Sequence, residues 1–77
     1  MNRQEAEAIV KANLTNQIRD NLELNGINGS QLAGLMGVDR FHCSKWISGK
    51  IMPSLPAALA MSQNLGVTLD RLVTGHD

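Results

Sequence analysis

Arg40, Phe41, Ser44 and Lys45 recur at spacings that place them along one side of a helix. Together they carry the chemistry that reads the major groove of DNA. A guanidinium forks onto guanine O6 and N7, an apolar side chain covers a thymine methyl, and ammonium groups neutralise phosphate. Arg40 is the candidate for guanine and Phe41 for the methyl, with Lys45 and Lys50 as phosphate partners. Ser44 sits between them, and His42 lies at the margin of the same face. A plain solvated helix surface is the competing reading. Phe41 counts against it, because an outward phenylalanine beside an arginine has no structural need to be there.

Other chemistry is poorly supported. No paired carboxylates, nucleophile with a base, or glycine-rich phosphate loop occurs in a context that could use it, so an enzyme is not expected. His42 and His76 are isolated, and His42 and Cys43 at adjacent helical positions point different ways, so neither a metal site nor another cofactor is expected. Cys43 falls on the inward side, where a free cysteine packs like a small hydrophobe rather than a redox sensor. Met36, Met52 and Met61 read as gap fillers.

The elements that must position these residues lie between Ser30 and Lys50. Leu32, Ala33 and Met36 recur at helical spacing, Gly37 can end that helix, and Val38 supplies an apolar plug before the next. Asp39 then caps a helix from Arg40 to about Ser48, its carboxylate accepting from the free amides of the first turn. Cys43, Trp46 and Ile47 form the inner face of that helix. Ala33 is small where the two helices cross, which keeps their axes within the usual ~8–10 Å. Asn28 and Gln31 form a capping box for the first helix. The pair is a helix-turn-helix.

Gln-Leu-Ala at 31–33, Met-Gly-Val at 36–38, Ser-Lys-Trp at 44–46, Gly-Lys at 49–50 and Pro-Ser at 53–54 resemble the Cro/C1-type (XRE) helix-turn-helix family. The resemblance runs on through Asn64–Leu72 and covers about Leu14 to Gly75. It implies a lambda-repressor-like fold and DNA recognition by the second motif helix. It also implies that two copies pair through the edge bearing Ile51 and Met52, whose apolar side chains stand in an otherwise polar connection; core filling is the other reading of those two. One departure matters. The family opens the first motif helix with Thr-Gln or Ser-Gln, the glutamine touching a DNA phosphate, whereas this chain has Asn28-Gly29. Asn28 and Gln31 keep the helix start and are the candidate backbone contacts at that end.

A chain of 77 residues, 43% hydrophobic, holds one small core. Its two prolines lie close together and its β-branched and aromatic residues are sparse, which favours helices over a sheet. The expected fold is all-α, a compact bundle of about five helices. The formal net charge is +0, which argues against an indiscriminate polycation. Its distribution is uneven: Arg40, Lys45 and Lys50 cluster in a stretch without acids up to Leu69, while Glu5, Glu7, Asp20 and Glu23 lie in the first 25 residues. One basic face and one mildly acidic face suit a protein that approaches phosphates from one side.

In chain order, Asn2 and Glu5 suggest a cap for a helix from about Arg3 to Leu24, with Ile9, Val10, Leu14, Ile18 and Leu22 as its apolar positions and a break at Asn13 as the alternative. Asn25-Gly26 stops it, and Ile27 turns inward. Residues 1–13 read as a helical extension beyond the family domain, which takes 14–77. Pro53 keeps the connection after the motif out of helical geometry, and Ser54 caps a helix whose inward face is Ala58, Met61, Ser62 and Leu65. Gly66 ends it, Val67 packs, and Thr68 caps a last helix with Leu69 and Leu72 inside.

The expected function is sequence-specific binding of double-stranded DNA by a transcriptional regulator of phage or bacterial type, acting as a homodimer on an inverted-repeat operator. With neither a signal-peptide pattern nor a membrane-spanning run, the expected compartment is the cytoplasm. Two rivals fit the same chain. One is an antitoxin that represses its own operon and masks a toxin with residues 1–13. The other is a protein-interaction module in which the helix-turn-helix is scaffold only, partnered by a second regulatory protein.

Overall fold

An asparagine side chain can divert a helix by bonding its backbone, and the first helix of this protein carries several without being diverted. The computed structural model describes residues 1–76. In it α1 runs unbroken over Arg3–Asn25. Asn13 Nδ2 donates to the Ile9 carbonyl (2.8 Å), and Asn21 Nδ2 to that of Gln17 (2.8 Å). Each side chain reaches one turn back while its own amide stays in the helix, so Asn13 causes no break. Asn2 caps the start, its Oδ1 accepting from the Glu5 amide. At ~1.5 Å per residue, the 23 residues of α1 match the 35 Å long axis of the molecule.

Four shorter helices follow, α2 (Gly29–Met36), α3 (Arg40–Ile47), α4 (Leu55–Leu65) and α5 (Leu69–Thr74), and the last three of them pack on that rod. The described residues form no strand. The all-helical five-element fold agrees with the expectation from composition and periodicity. Helix α5 lies along α1, and α2 packs against both α3 and α4. The core is Leu14, Ile18 and Leu22 of α1, Leu32 and Ala33 of α2, Cys43 and Trp46 of α3, Ala58, Met61 and Leu65 of α4, with Val67 and Leu72. Ser62 is also buried, its hydroxyl donating to the Leu59 carbonyl at 2.7 Å. Ile9 departs from the expected apolar stripe of α1 and is 38% exposed. The core-facing side of that helix starts only at Val10, half-buried, and Leu14.

The end of α1 is held by something the sequence does not display. Asn25 Nδ2 donates both to the Asn21 carbonyl (2.7 Å) and to the Leu65 carbonyl (3.0 Å). Leu65 ends α4, where carbonyls lack helical partners, so one amide ties the C-terminal ends of two helices together. None of the described helices is long and apolar enough to cross a membrane.

Candidate nucleic-acid interface

The geometry of α2 and α3 is set by their caps. Asn28 Oδ1 accepts from the Gln31 amide (2.9 Å) while Gln31 Oε1 accepts from the Asn28 amide (2.8 Å), which completes the capping box. Helix α2 stops at Gly37 (φ 69°), a left-handed conformation that glycine adopts without a Cβ clash. The Val38 amide then donates back to the Ala33 carbonyl (3.0 Å), closing the turn. Asp39 Oδ1 accepts from the amides of Phe41 (2.6 Å) and His42 (3.3 Å) and starts α3. The whole motif is thus clamped by short local bonds before any ligand arrives.

Helix α3 is two-faced. Cys43 and Trp46 are buried and Ile47 is half-buried, whereas Arg40, Phe41, His42, Ser44 and Lys45 are exposed. The Phe41 ring is 67% exposed, with the Arg40 guanidinium carbon 5.0 Å from its centroid. The two side chains form one cation–π pair on the surface. His42 has a different partner: its ring meets Trp46 edge to face, centroids 4.8 Å apart at 79°. It therefore screens the margin of the core as well as bordering the candidate face.

A shallow groove of about 540 Å³ runs between the start of α2 and α3, lined by Asn28, Gly29, Ser30, Arg40, Phe41, Ser44 and Ile47. Of the residues expected from the sequence, it unites Asn28, Arg40, Phe41 and Ser44. Gln31, His42, Lys45 and Lys50 are exposed but do not line it. Lys50 follows a reversal at the end of α3, where the Lys45 carbonyl accepts from the amides of Lys50 (2.9 Å) and Ile51 (3.3 Å). Both lysines therefore belong to one short hydrogen-bonded segment at the far end of the helix.

Gly29, part of the Asn28-Gly29 departure, lies close to Ile47, a neighbour that reading the sequence missed. A Cβ there would come within 2.8 Å of Ile47 Cδ1, so α2 begins in contact with the last turn of α3. No sequence signal distinguishes this use of glycine from a loop glycine.

Ile51 and Met52 are 38% and 40% exposed. Met52 borders two apolar hollows, one with Arg3, Ala6, Glu7 and Val10 and the other with Leu14, Pro53, Leu55, Ala58 and Val73 as well as Val10. Leu55 and Leu59, one turn apart on α4, are exposed too. The connection after α3, the outer side of α4 and the first turns of α1 thus share one apolar border.

Burial pushes the Cys43 thiol up from its ordinary value. With thiolate scarce and the sulfur fully enclosed, the folded protein should resist iodoacetamide at neutral pH and be alkylated quickly in guanidinium. Equal labelling rates in both conditions, followed by mass spectrometry, would place Cys43 outside the core. No group of three or more His, Cys, Asp or Glu among the described residues could hold a metal ion.

A family model described as helix-turn-helix matches residues 18–72. No curated protein and no solved structure matches the chain.

Proposed function

Since this chain belongs to the Cro/C1-type helix-turn-helix family, whose domain marks a DNA-binding regulator, we propose that it acts as a sequence-specific repressor occupying an inverted-repeat operator as a homodimer. The observation that carries the reading is the division of α3: Cys43 and Trp46 anchor one side while Arg40, Phe41, Ser44 and Lys45 stand exposed on the other. Arg40 and Phe41 belong to its first turn, the part of a recognition helix that meets base edges. The positive end of the helix points the same way, although the Asp39 carboxylate already takes two of its amides.

In this reading one copy offers DNA the three cations of α3 and the turn after it, Arg40, Lys45 and Lys50. So few cations neutralise few phosphates, and a single domain would bind weakly at physiological salt. Two copies related by a twofold axis place their recognition helices about 34 Å apart, one turn of B-DNA, which is the origin of the inverted repeat in this reading. The exposed Ile51 and Met52 follow the C-terminal end of α3 and supply the apolar surface for that pairing in this reading.

Selection from a random duplex pool, followed by a salt titration of the selected site, tests the proposal. An inverted repeat with affinity falling steeply as salt rises is expected; a pool that never converges, or no binding at low salt, would refute it. The roles on α3 separate by mutation. Arg40→Ala should cost about 1–3 kcal/mol on the selected site and relax preference at one base pair. Lys45→Ala should weaken all sequences alike and lower the salt slope by about 1. Fluorescence anisotropy on selected and scrambled duplexes decides, and equal losses on both for Arg40→Ala would remove it from base reading.

A further inference from the structure

Resting on the reading that α3 lies in the major groove, we propose that Arg40 and Phe41 act as one unit that recognises a two-pair step: a guanine flanked directly by a base pair whose pyrimidine carries a C5-methyl group, thymine in unmodified DNA. The two side chains are already stacked in the free protein, with 5.0 Å between the guanidinium carbon and the ring centroid. Their backbone is also fixed, since Asp39 Oδ1 holds the Phe41 amide at 2.6 Å. Nothing in the core accounts for the pair. Phe41 is 67% exposed and Arg40 is exposed.

The spacing selects the neighbouring pair. A guanidinium forked onto guanine O6 and N7 lies close to the plane of that base. Successive base planes are ~3.4 Å apart, so two steps span ~6.8 Å. A ring centred 5.0 Å from the guanidinium carbon cannot be centred as far along the DNA axis as the second step, so the pair directly beside the guanine is the neighbour within its reach. At that level the major-groove edge offers one apolar group, the thymine methyl; the alternatives are the amino group of cytosine or adenine and the O6 and N7 of guanine. Setting the ring against those would take polar atoms from water without a replacement bond. Phe41 therefore selects the flanking base and steadies the arginine that reads the guanine. The stack also strengthens as the groove is dried, because a cation over a ring gains when water leaves.

Asn28, Ser30 and Ser44 line the same groove and provide hydrogen-bonding groups at its border. Ile47, half-buried, lines it as well.

The test uses the full chain and the operator recovered by selection. Replacing the flanking thymine by uracil deletes only the methyl group and should weaken binding about fourfold, the worth of one buried methyl. The same change should have no effect on Phe41→Ala, whose helical content by circular dichroism should match the parent because the ring is outside the core. With a C·G pair in the flanking position, 5-methylcytosine should bind about fourfold better than cytosine, and this gain should also vanish in Phe41→Ala. Thymine and uracil duplexes of equal affinity for the parent protein would overturn the step. So would an undiminished uracil penalty in Phe41→Ala, which would show the methyl is met elsewhere. Either result leaves operator binding itself intact, whereas failure to recover any operator would overturn the repressor reading and this inference together.

Discussion

Trp46→Ala should remove a large part of the protein's stability and lower its melting temperature steeply. The side chain is 4% exposed on the inner face of α3, and truncating a buried tryptophan costs roughly 3–5 kcal/mol in lost transfer energy and residual cavity. A domain of this length has roughly 4–12 kcal/mol in total. The loss also undoes local order at both ends of the helix. His42 loses the ring it meets edge to face, and the turn whose Gly49 amide donates to the Trp46 carbonyl (3.2 Å) keeps that bond but loses the buried side chain at its base. A thermal melt followed at 222 nm is sufficient. A variant that melts near the parent temperature would mean that α3 is rotated about its axis, and Arg40 and Phe41 would then forfeit their outward positions as well.

Replacing Ile51 and Met52 together by aspartate should abolish tight operator binding while leaving helical content intact. At 38% and 40% exposure, carboxylates at these positions remain hydrated in the monomer, so the fold tolerates them. In the proposed dimer the same charges face their twofold copies. Burial of unpaired like charges costs several kcal/mol, enough to return binding to the non-specific range, on the order of 10⁻⁴–10⁻⁶ M at physiological salt. Sedimentation velocity beside anisotropy separates loss of pairing from loss of DNA contact. Deletion of Met1 to Glu7 is the companion experiment. It removes Arg3, Ala6 and Glu7 from the hollow beside Met52 but spares Val10 and the core residues from Leu14 onward, so a smaller effect is expected. A monomeric truncation alongside a dimeric double-aspartate variant would reassign pairing to the first turns of α1.

Helix boundaries in this protein were legible because each end is written in local chemistry. Asn28 with Gln31, Asp39, Ser54 and Thr68 place oxygens where free amides must be satisfied, and glycines stand where the chain leaves α1, α2, α4 and α5 left-handed. Helical spacing likewise assigned Cys43 and Trp46 inward and Arg40 and Phe41 outward, since an angular position on a helix is a property of the sequence interval alone. Interactions between distant segments carry no such trace. The bond from Asn25 to the Leu65 carbonyl, the closeness of Gly29 to Ile47 and the meeting of Met52 with Ala6 and Val10 each join positions far apart in the chain. They exist only once packing has set the distances between helices. The stacking of Arg40 on Phe41 lies between these cases: adjacency in sequence made it available, but the side-chain geometry that brings guanidinium and ring together is visible only in the folded protein. Sequence by itself therefore determined the helices and the face that α3 presents, through local hydrogen bonding and periodicity, while tertiary packing decided which of the exposed groups share a groove.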